Sequence, residues 1–191
     1  MTSPAANLRV GQGIDVHRFS EEADRPLVLA GVRITGDDAR GLEGHSDADV
    51  VAHAFADAIL GAAGLGDLGR HAPDTDPSFA GADSMDLLAR VVRLAAEEGW
   101  YPVNGDCTVV AERPKLAASV EEMGRRLADV LRAPVNVKAT RAEGLGALGR
   151  AEGIACTAVV LLGPRPEVAA EVVPEVAADR SSEAPRSGGG S

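Results

Sequence analysis

Asp15 and His17 stand two apart in Leu8–Phe19, LRVGQGIDVHRF, a stretch that alternates as a strand does. Residues i and i+2 of a strand share a face, so the carboxylate and the imidazole point the same way. Further on, glycines 41 and 44 lead into His45-Ser46-Asp47, and an apolar run follows that carries Asp49, His53 and Asp57. These last three are four apart, so on a helix they form one polar stripe. Val50, Val51, Ala54, Phe55, Ala58 and Ile59 cover most of the remaining circumference, and a helix apolar on most sides is buried. Buried imidazoles and carboxylates must find hydrogen bonds, charges or a metal. A satisfied core histidine competes with a functional one here. Three ionisable members in the stripe and a second histidine at its entrance favour function. Asp15, His17 and His53 make a set of two imidazoles and one carboxylate, all on regular elements. Three such ligands leave the fourth position of a zinc ion open for a substrate. His45 and Ser46 lie at a helix N-terminus, where N–H groups and the dipole suit a phosphate better than a metal. No Ser–His–Asp or Cys–His grouping suggests a nucleophile.

The elements that must position these residues follow from patterning. Ser46 with Asp49 three residues later resembles a capping box, which starts the helix near Asp47 and lets it run to the glycines at 61–66. Pro26–Ile34 reads as a hairpin around Ala30-Gly31. Gly66–Pro77 is a loop with three carboxylates, equally compatible with function and with a solvated turn. Ala82–Glu98 is amphipathic, with Met85, Leu88, Val91, Val92 and Ala95 on its inner face. Val103–Ala111 is a buried strand, and Pro114-Lys115 opens a third helix to about Leu131. Val135–Thr140 is a short strand, Arg141–Glu152 a glycine-rich loop, and Gly153–Leu162 the last strand. The sum is an α/β domain over residues 1–163, with three helices and about six short strands. From Pro164 the chain turns rich in Pro, Ala, Glu and Ser, which predicts a disordered tail with a short helix around Glu167–Val172. Matches to G-x-G-x-x-G at Gly64, Gly66, Gly69 and at Gly144, Gly146, Gly149 are rejected as dinucleotide fingerprints. The first follows a helix and the second leads into a strand, where a fingerprint needs the reverse.

The net charge of −10 argues against a nucleic-acid partner or an anionic membrane surface. It does not argue against a phosphate ligand, whose charge a metal ion can neutralise locally. Cys107 and Cys156 lie far apart in apolar runs and read as small buried residues of a reducing compartment. No signal peptide and no membrane span is evident, so the expected location is cytoplasmic.

Several short stretches occur together and in order: Ile14-Asp15-Val16-His17, His45-Ser46-Asp47-Ala48-Asp49-Val50, His53-Ala54, Leu65-Gly66-Asp67-Leu68-Gly69, Pro73-Asp74-Thr75-Asp76-Pro77, Pro114-Lys115, Val137-Lys138-Ala139-Thr140 and Gly149-Arg150-Ala151-Glu152-Gly153-Ile154. As a set they closely resemble the 2-C-methyl-D-erythritol 2,4-cyclodiphosphate synthase family of the non-mevalonate isoprenoid pathway. The resemblance runs from about Leu8 to Leu162. It implies a small mixed β-sheet with helices on one face, and a homotrimer whose sheets face a central cavity, with active sites between subunits. It implies zinc on Asp15, His17 and His53, and a second divalent cation, magnesium or manganese, on Glu143. Asp15, His17, His45, Ser46, Leu68, Gly69, Glu143 and Arg150 would touch the substrate, and Asp67 with the 72–76 loop (Ala72, Asp74 and Asp76) would hold its erythritol hydroxyls. Ala111, Pro114, Lys115, Leu116, Ala117, Ala139 and Thr140 of a neighbouring subunit would hold the cytidine diphosphate. The implied reaction is attack of the substrate's own 2-phosphate on its β-phosphate, which closes a cyclic diphosphate and expels CMP.

Two departures bear on the site. The family usually runs Ala-Thr-Thr-Thr (or Ser)-Glu where this chain has Ala139-Thr140-Arg141-Ala142-Glu143. Arg141 thus replaces a hydroxyl that contacts the β-phosphate; it either substitutes as a cation or points to solvent. With His45 it is a candidate catalytic residue. The common Phe-Thr-Gly-Arg is Ala147-Leu148-Gly149-Arg150, which removes an aromatic from the expected cavity lining. Two alternatives stand beside the synthase: a metal-dependent phosphohydrolase, and a trimeric metal- or nucleotide-binding protein with a weakened site. Retention of Pro114-Lys115 and Ala139-Thr140 favours the synthase, because a hydrolase has no need of a cytidine pocket.

Overall fold

A computed structural model describes residues 7–36, 38–44, 46–72 and 81–164. In chain order these form β1 (Arg9–Arg18), β2 (Leu27–Leu29), β3 (Val32–Ile34), α1 (Val50–Ala63), α2 (Leu68–His71), α3 (Ser84–Glu97), β4 (Trp100–Val110), α4 (Val120–Leu131), β5 (Val135–Thr140), α5 (Gly146–Gly149) and β6 (Gly153–Pro164). Four strands make one mixed sheet in the order β1-β6-β4-β5, and β2 and β3 form a separate hairpin. In the sheet β6 runs antiparallel to β1 and β4, while β5 is parallel to β4. Its edges are therefore β1 and β5.

Strand alternation divides the sheet into two faces. On β6, Ile154, Cys156, Ala158, Val160 and Leu162 are buried. They meet α1, which also packs on β1, while α3 lies against β4 and α4 against β5. On β1 the inward positions before Asp15 are Gly11 and Gly13, and they set the depth of the site. A Cβ at Gly11 would fall 1.8 Å from the carbonyl oxygen of Ala58, and one at Gly13 would fall 2.0 Å from that of Ala54. Only glycine lets the α1 backbone come this near the strand. The other face of β1 carries Val10, Ile14 and Val16, all exposed, beside exposed Val159 of β6.

The expected elements are present, with some boundaries moved. The first helix starts at Val50, not near Asp47, because Ala48 has φ 56, a left-handed conformation that no helix passes through. Asp49 is the N-cap, taking N–H bonds from Val51 (3.0 Å) and Ala52 (3.1 Å), and Ser46 Oγ instead accepts from the Ala48 N–H. The helix expected from Pro114 starts six residues later, at Val120. Pro114 lies in a chain of turns; proline signals a turn as readily as a first helical residue. β4 begins at Trp100 rather than Val103, and the register shift at Pro102/Asn104 accommodates the proline within the strand. The two glycine-rich loops each contain a short helix, α2 and α5. The hairpin turns at Ala30 and Gly31, both with positive φ, as a two-residue turn requires. β6 reaches Pro164, one residue into the expected tail. The rest of that tail, including 167–172, lies outside the described residues.

Candidate active site

Asp15 and His17 project from β1 on its helix-facing side, and His53 projects from the second turn of α1 toward them. The close approach at Gly11 and Gly13 brings these two elements together. One ligand atom from each of the three residues lies within 4.8 Å of the others. Asp15 Oδ2 is 3.1 Å from His17 Nε2 and 3.1 Å from His53 Nδ1. His17 Nδ1 is 2.6 Å from the Glu43 carbonyl oxygen, which can only accept. That nitrogen therefore carries the proton, and Nε2, the basic nitrogen of this tautomer, faces Asp15. Burial works against the Asp15 carboxylate, yet when both imidazoles are protonated their hydrogen bonds and positive charge outweigh it and hold its carboxyl far below the usual range. An oxygen and two imidazole nitrogens converging at this spacing are a fitting donor set for a divalent metal such as zinc. The second partners, such as the Glu43 carbonyl, are of the kind that orient metal-bound histidines.

The polar stripe of α1 divides into three jobs. Asp49 is fully buried and structural: besides capping α1, its Oδ2 takes the Gly31 N–H at 2.7 Å and fastens the hairpin to the helix. Burial pushes the Asp49 carboxyl up to about 6, against the lowering pull of N–H bonds from Gly31, Ala52 and Ala30. His53 joins the donor cluster. Asp57 Oδ1 accepts the Leu68 N–H at 2.7 Å and seats the start of α2. A cavity of about 330 Å³ opens over the cluster, lined by Asp15, His17, Gly44, Ser46, His53, Asp57, Leu68, Gly69, Ala72 and Leu87. Of the other residues expected on the substrate, Leu68, Gly69 and, from the erythritol loop, Ala72 are on this wall. Asp67 caps α2 through the Arg70 N–H (3.1 Å) and does not line it. His45, Asp74 and Asp76 lie outside the described residues.

A second cavity, of about 510 Å³, lies at the other end of the sheet order. Its walls include Ala111, Pro114, Leu116, Ala117, Val137, Ala139 and Thr140, with Lys115, Lys138 and Arg141 as the cations. All seven residues expected on the cytidine side are thus together. Arg141 neither reaches into solvent alone nor stands apart from Glu143: its Nη2 donates to both Glu143 oxygens, at 2.9 and 3.2 Å. Arg150 bonds Glu152 at 2.6 Å and lines a different groove with Arg18 and Arg40, so it meets neither cavity. The first cavity sits on edge strand β1 and the second on edge strand β5. Three inter-strand steps of ~4.8 Å separate these edges by about 14 Å within one sheet.

The patterning missed Ser84, the first residue of α3, which is buried with its Oγ 2.9 Å from His53 Nε2. It also missed Asp47 as a partner of Ser84. No local signal could have found them, since 31 residues separate Ser84 from His53.

Comparison with known proteins gives one answer. Residues 8–163 match the family model described as the YgbB family. The chain is 57% identical over 157 residues to the 2-C-methyl-D-erythritol 2,4-cyclodiphosphate synthase of Geobacillus kaustophilus, covering 81% of this chain and 97% of that protein. Its fold is similar to that of the bifunctional IspDF of Campylobacter jejuni, with TM-score 0.77 and 45% identity, over 82% of this chain and 42% of that longer one. It is also similar to a 2C-methyl-D-erythritol-2,4-cyclodiphosphate synthase solved with CDP, with TM-score 0.72 and 36% identity, over 81% of this chain and 99% of that one. With the family model spanning nearly the whole described fold and both cavities inside the match, the chain belongs to the YgbB family, that of the 2-C-methyl-D-erythritol 2,4-cyclodiphosphate synthases.

Proposed function

We propose that this protein converts 4-diphosphocytidyl-2-C-methyl-D-erythritol 2-phosphate to 2-C-methyl-D-erythritol 2,4-cyclodiphosphate and CMP. The observation that carries the proposal is the Asp15–His17–His53 donor cluster beneath an open cavity, in a chain 57% identical to a protein of that name. An oxygen of the 2-phosphate forms a bond to the β-phosphorus, and the bond from that phosphorus to the α-phosphate oxygen breaks to release CMP. The nucleophile is already part of the substrate, so the protein's work is to hold a bent, in-line geometry.

Asp15, His17 and His53 hold zinc, and Glu143 holds magnesium or manganese. Bound there, these ions neutralise charge on the phosphate oxygens. His45 and Ser46 serve the phosphates, Asp67, Ala72, Asp74 and Asp76 the methylerythritol hydroxyls, and Leu68 and Gly69 line the substrate beside them. Ala111, Pro114, Lys115, Leu116, Ala117, Ala139 and Thr140 hold the cytidine diphosphate; that a relative was solved with CDP supports a nucleotide ligand of this kind. Arg141 keeps the Glu143 carboxylate neutralised until the diphosphate and cation arrive, then serves the β-phosphate as a cationic donor. Arg150 contributes from its groove only through a neighbouring subunit.

The active unit is a homotrimer. The two cavities lie on opposite edges of one sheet, too far apart for one diphosphate to bridge within a chain. The exposed apolar face of β1 and β6 supports sheets packed inward, since antiparallel faces left to solvent are normally polar. Domain limits at 1–163 and a cytoplasmic setting complete the proposal; among the described residues no helix is long and apolar enough to cross a membrane.

Release of CMP from this substrate tests the proposal. The wild type with zinc and magnesium should release it, and Asp15→Asn should not. Release by Asp15→Asn at the wild-type rate would remove the cluster from the reaction.

A further inference from the structure

The buried hydroxyl of Ser84 stands between His53 and Asp47, and the protons along this line can be assigned. The Asp47 carboxylate only accepts. Its Oδ1 is 2.5 Å from Ser84 Oγ and its Oδ2 takes the Ser84 N–H at 3.2 Å. The single hydroxyl proton of Ser84 is therefore given to Asp47. Toward His53 Nε2, at 2.9 Å, Ser84 Oγ can then act only as an acceptor. Ser46 Oγ lies beside both, 3.3 Å from Ser84 Oγ and 3.4 Å from His53 Nε2; it accepts the Ala48 N–H and has its one proton for Ser84 Oγ, the nearer acceptor, whose lone pairs can take both it and the His53 N–H. His53 must hold its proton on Nε2. Its Nδ1 keeps a lone pair and faces Asp15 Oδ2 at 3.1 Å, two acceptors that only a proton or a cation reconciles.

We infer that Ser84 and Asp47 are positioning residues that hold His53 in the Nε2–H tautomer, with Nδ1 presented to the metal. They do for His53 what the Glu43 carbonyl does for His17. The inference rests on the reading of Asp15, His17 and His53 as metal ligands, and it goes beyond it in naming what orients one of them. A bond to the end of a second helix also makes the register of α1 against α3 part of the metal site.

The test is zinc affinity by chelator competition on the full chain, together with ring ¹⁵N shifts of its four histidines in the metal-free state. Ser84→Ala should weaken zinc about ten- to a hundredfold, as loss of a partner behind a metal ligand does. It should also replace the single His53 tautomer with a mixture. Asp47→Asn, which keeps an oxygen for the Ser84 hydroxyl, should lose less than Ser84→Ala. A merely structural Ser84 would change melting temperature and leave affinity and tautomer alone, and that result would overturn the inference. So would an Nδ1–H tautomer in the metal-free wild type, a measurement that needs no variant to fold. If the wild type binds zinc through Asp15, His17 and His53 but Ser84→Ala binds it equally, only the positioning role falls. If the wild type binds no zinc, the metal reading falls with it.

Discussion

His53 shows how far single residues could be read. A D-x-H pair and an i, i+4 stripe are local patterns, so the sequence alone singles out Asp15, His17 and His53. The stripe did not say which of its members would function, because that depends on what each meets across the fold. Asp49 meets N–H groups of α1 and of the hairpin and becomes a cap, while His53 meets Asp15 and Ser84. His53→Ala should lose its zinc by elemental analysis after reconstitution; full zinc in that variant would refute the ligand set. Arg141 was legible only as a departure, and its partner was not. With its guanidinium on Glu143, removal leaves a bare carboxylate beside the expected diphosphate. A charge-assisted bond of ~1.5–3 kcal/mol corresponds to about a ten- to hundredfold change in rate. Arg141→Ala should therefore lower kcat/KM by that factor at low magnesium, recover in part at high magnesium, and keep normal zinc. Equal kcat/KM in wild type and variant across magnesium concentrations would show that the arginine plays no part.

At the scale of elements, hydrophobic periodicity revealed α1, α3 and every strand of the main sheet, because burial imposes it. It could not reveal the left-handed Ala48, which carries no side-chain signature, so patterning puts the cap at Ser46, three residues before Asp49. Nor could it show why Gly11 and Gly13 are glycines, since the atoms they admit belong to α1. Gly13→Ala must push α1 off β1; overpacking of this kind costs about 1–3 kcal/mol. Chemical denaturation should show that loss, and zinc should bind more weakly because His53 adjoins the displaced Ala54. Unchanged stability and affinity would mean that the approach is not what builds the site. Asp49 gives this junction a pH dependence. Its carboxyl is raised to about 6 in the folded protein from 3.8, so folding favours its protonated form. Its contribution to stability is therefore full below about pH 4 and is lost as pH rises through 6, by up to about 3 kcal/mol. Wild type minus Asp49→Asn stability should fall across that window; a difference independent of pH would contradict it.

At the scale of the molecule, the chain has two separate cavities and an exposed apolar patch on its sheet. Alternation could have exposed that face in the sequence, since Val10, Ile14 and Val16 sit opposite Gly11, Gly13 and Asp15. What it could not show is that the two cavities fall on opposite edges, which depends on the strand order. Sedimentation should give a particle of three 19.5 kDa chains, and Ile14→Asp with Val16→Asp should yield monomers without turnover. An active monomer at assay concentration would refute the shared site. The claim at the centre of the account is that the substrate's own phosphate, not water, attacks the β-phosphorus. Phosphorus NMR of the products formed in ¹⁸O-labelled water measures this directly. The account predicts a cyclic diphosphate and CMP with no ¹⁸O in either; a linear product carrying ¹⁸O would show a phosphohydrolase instead.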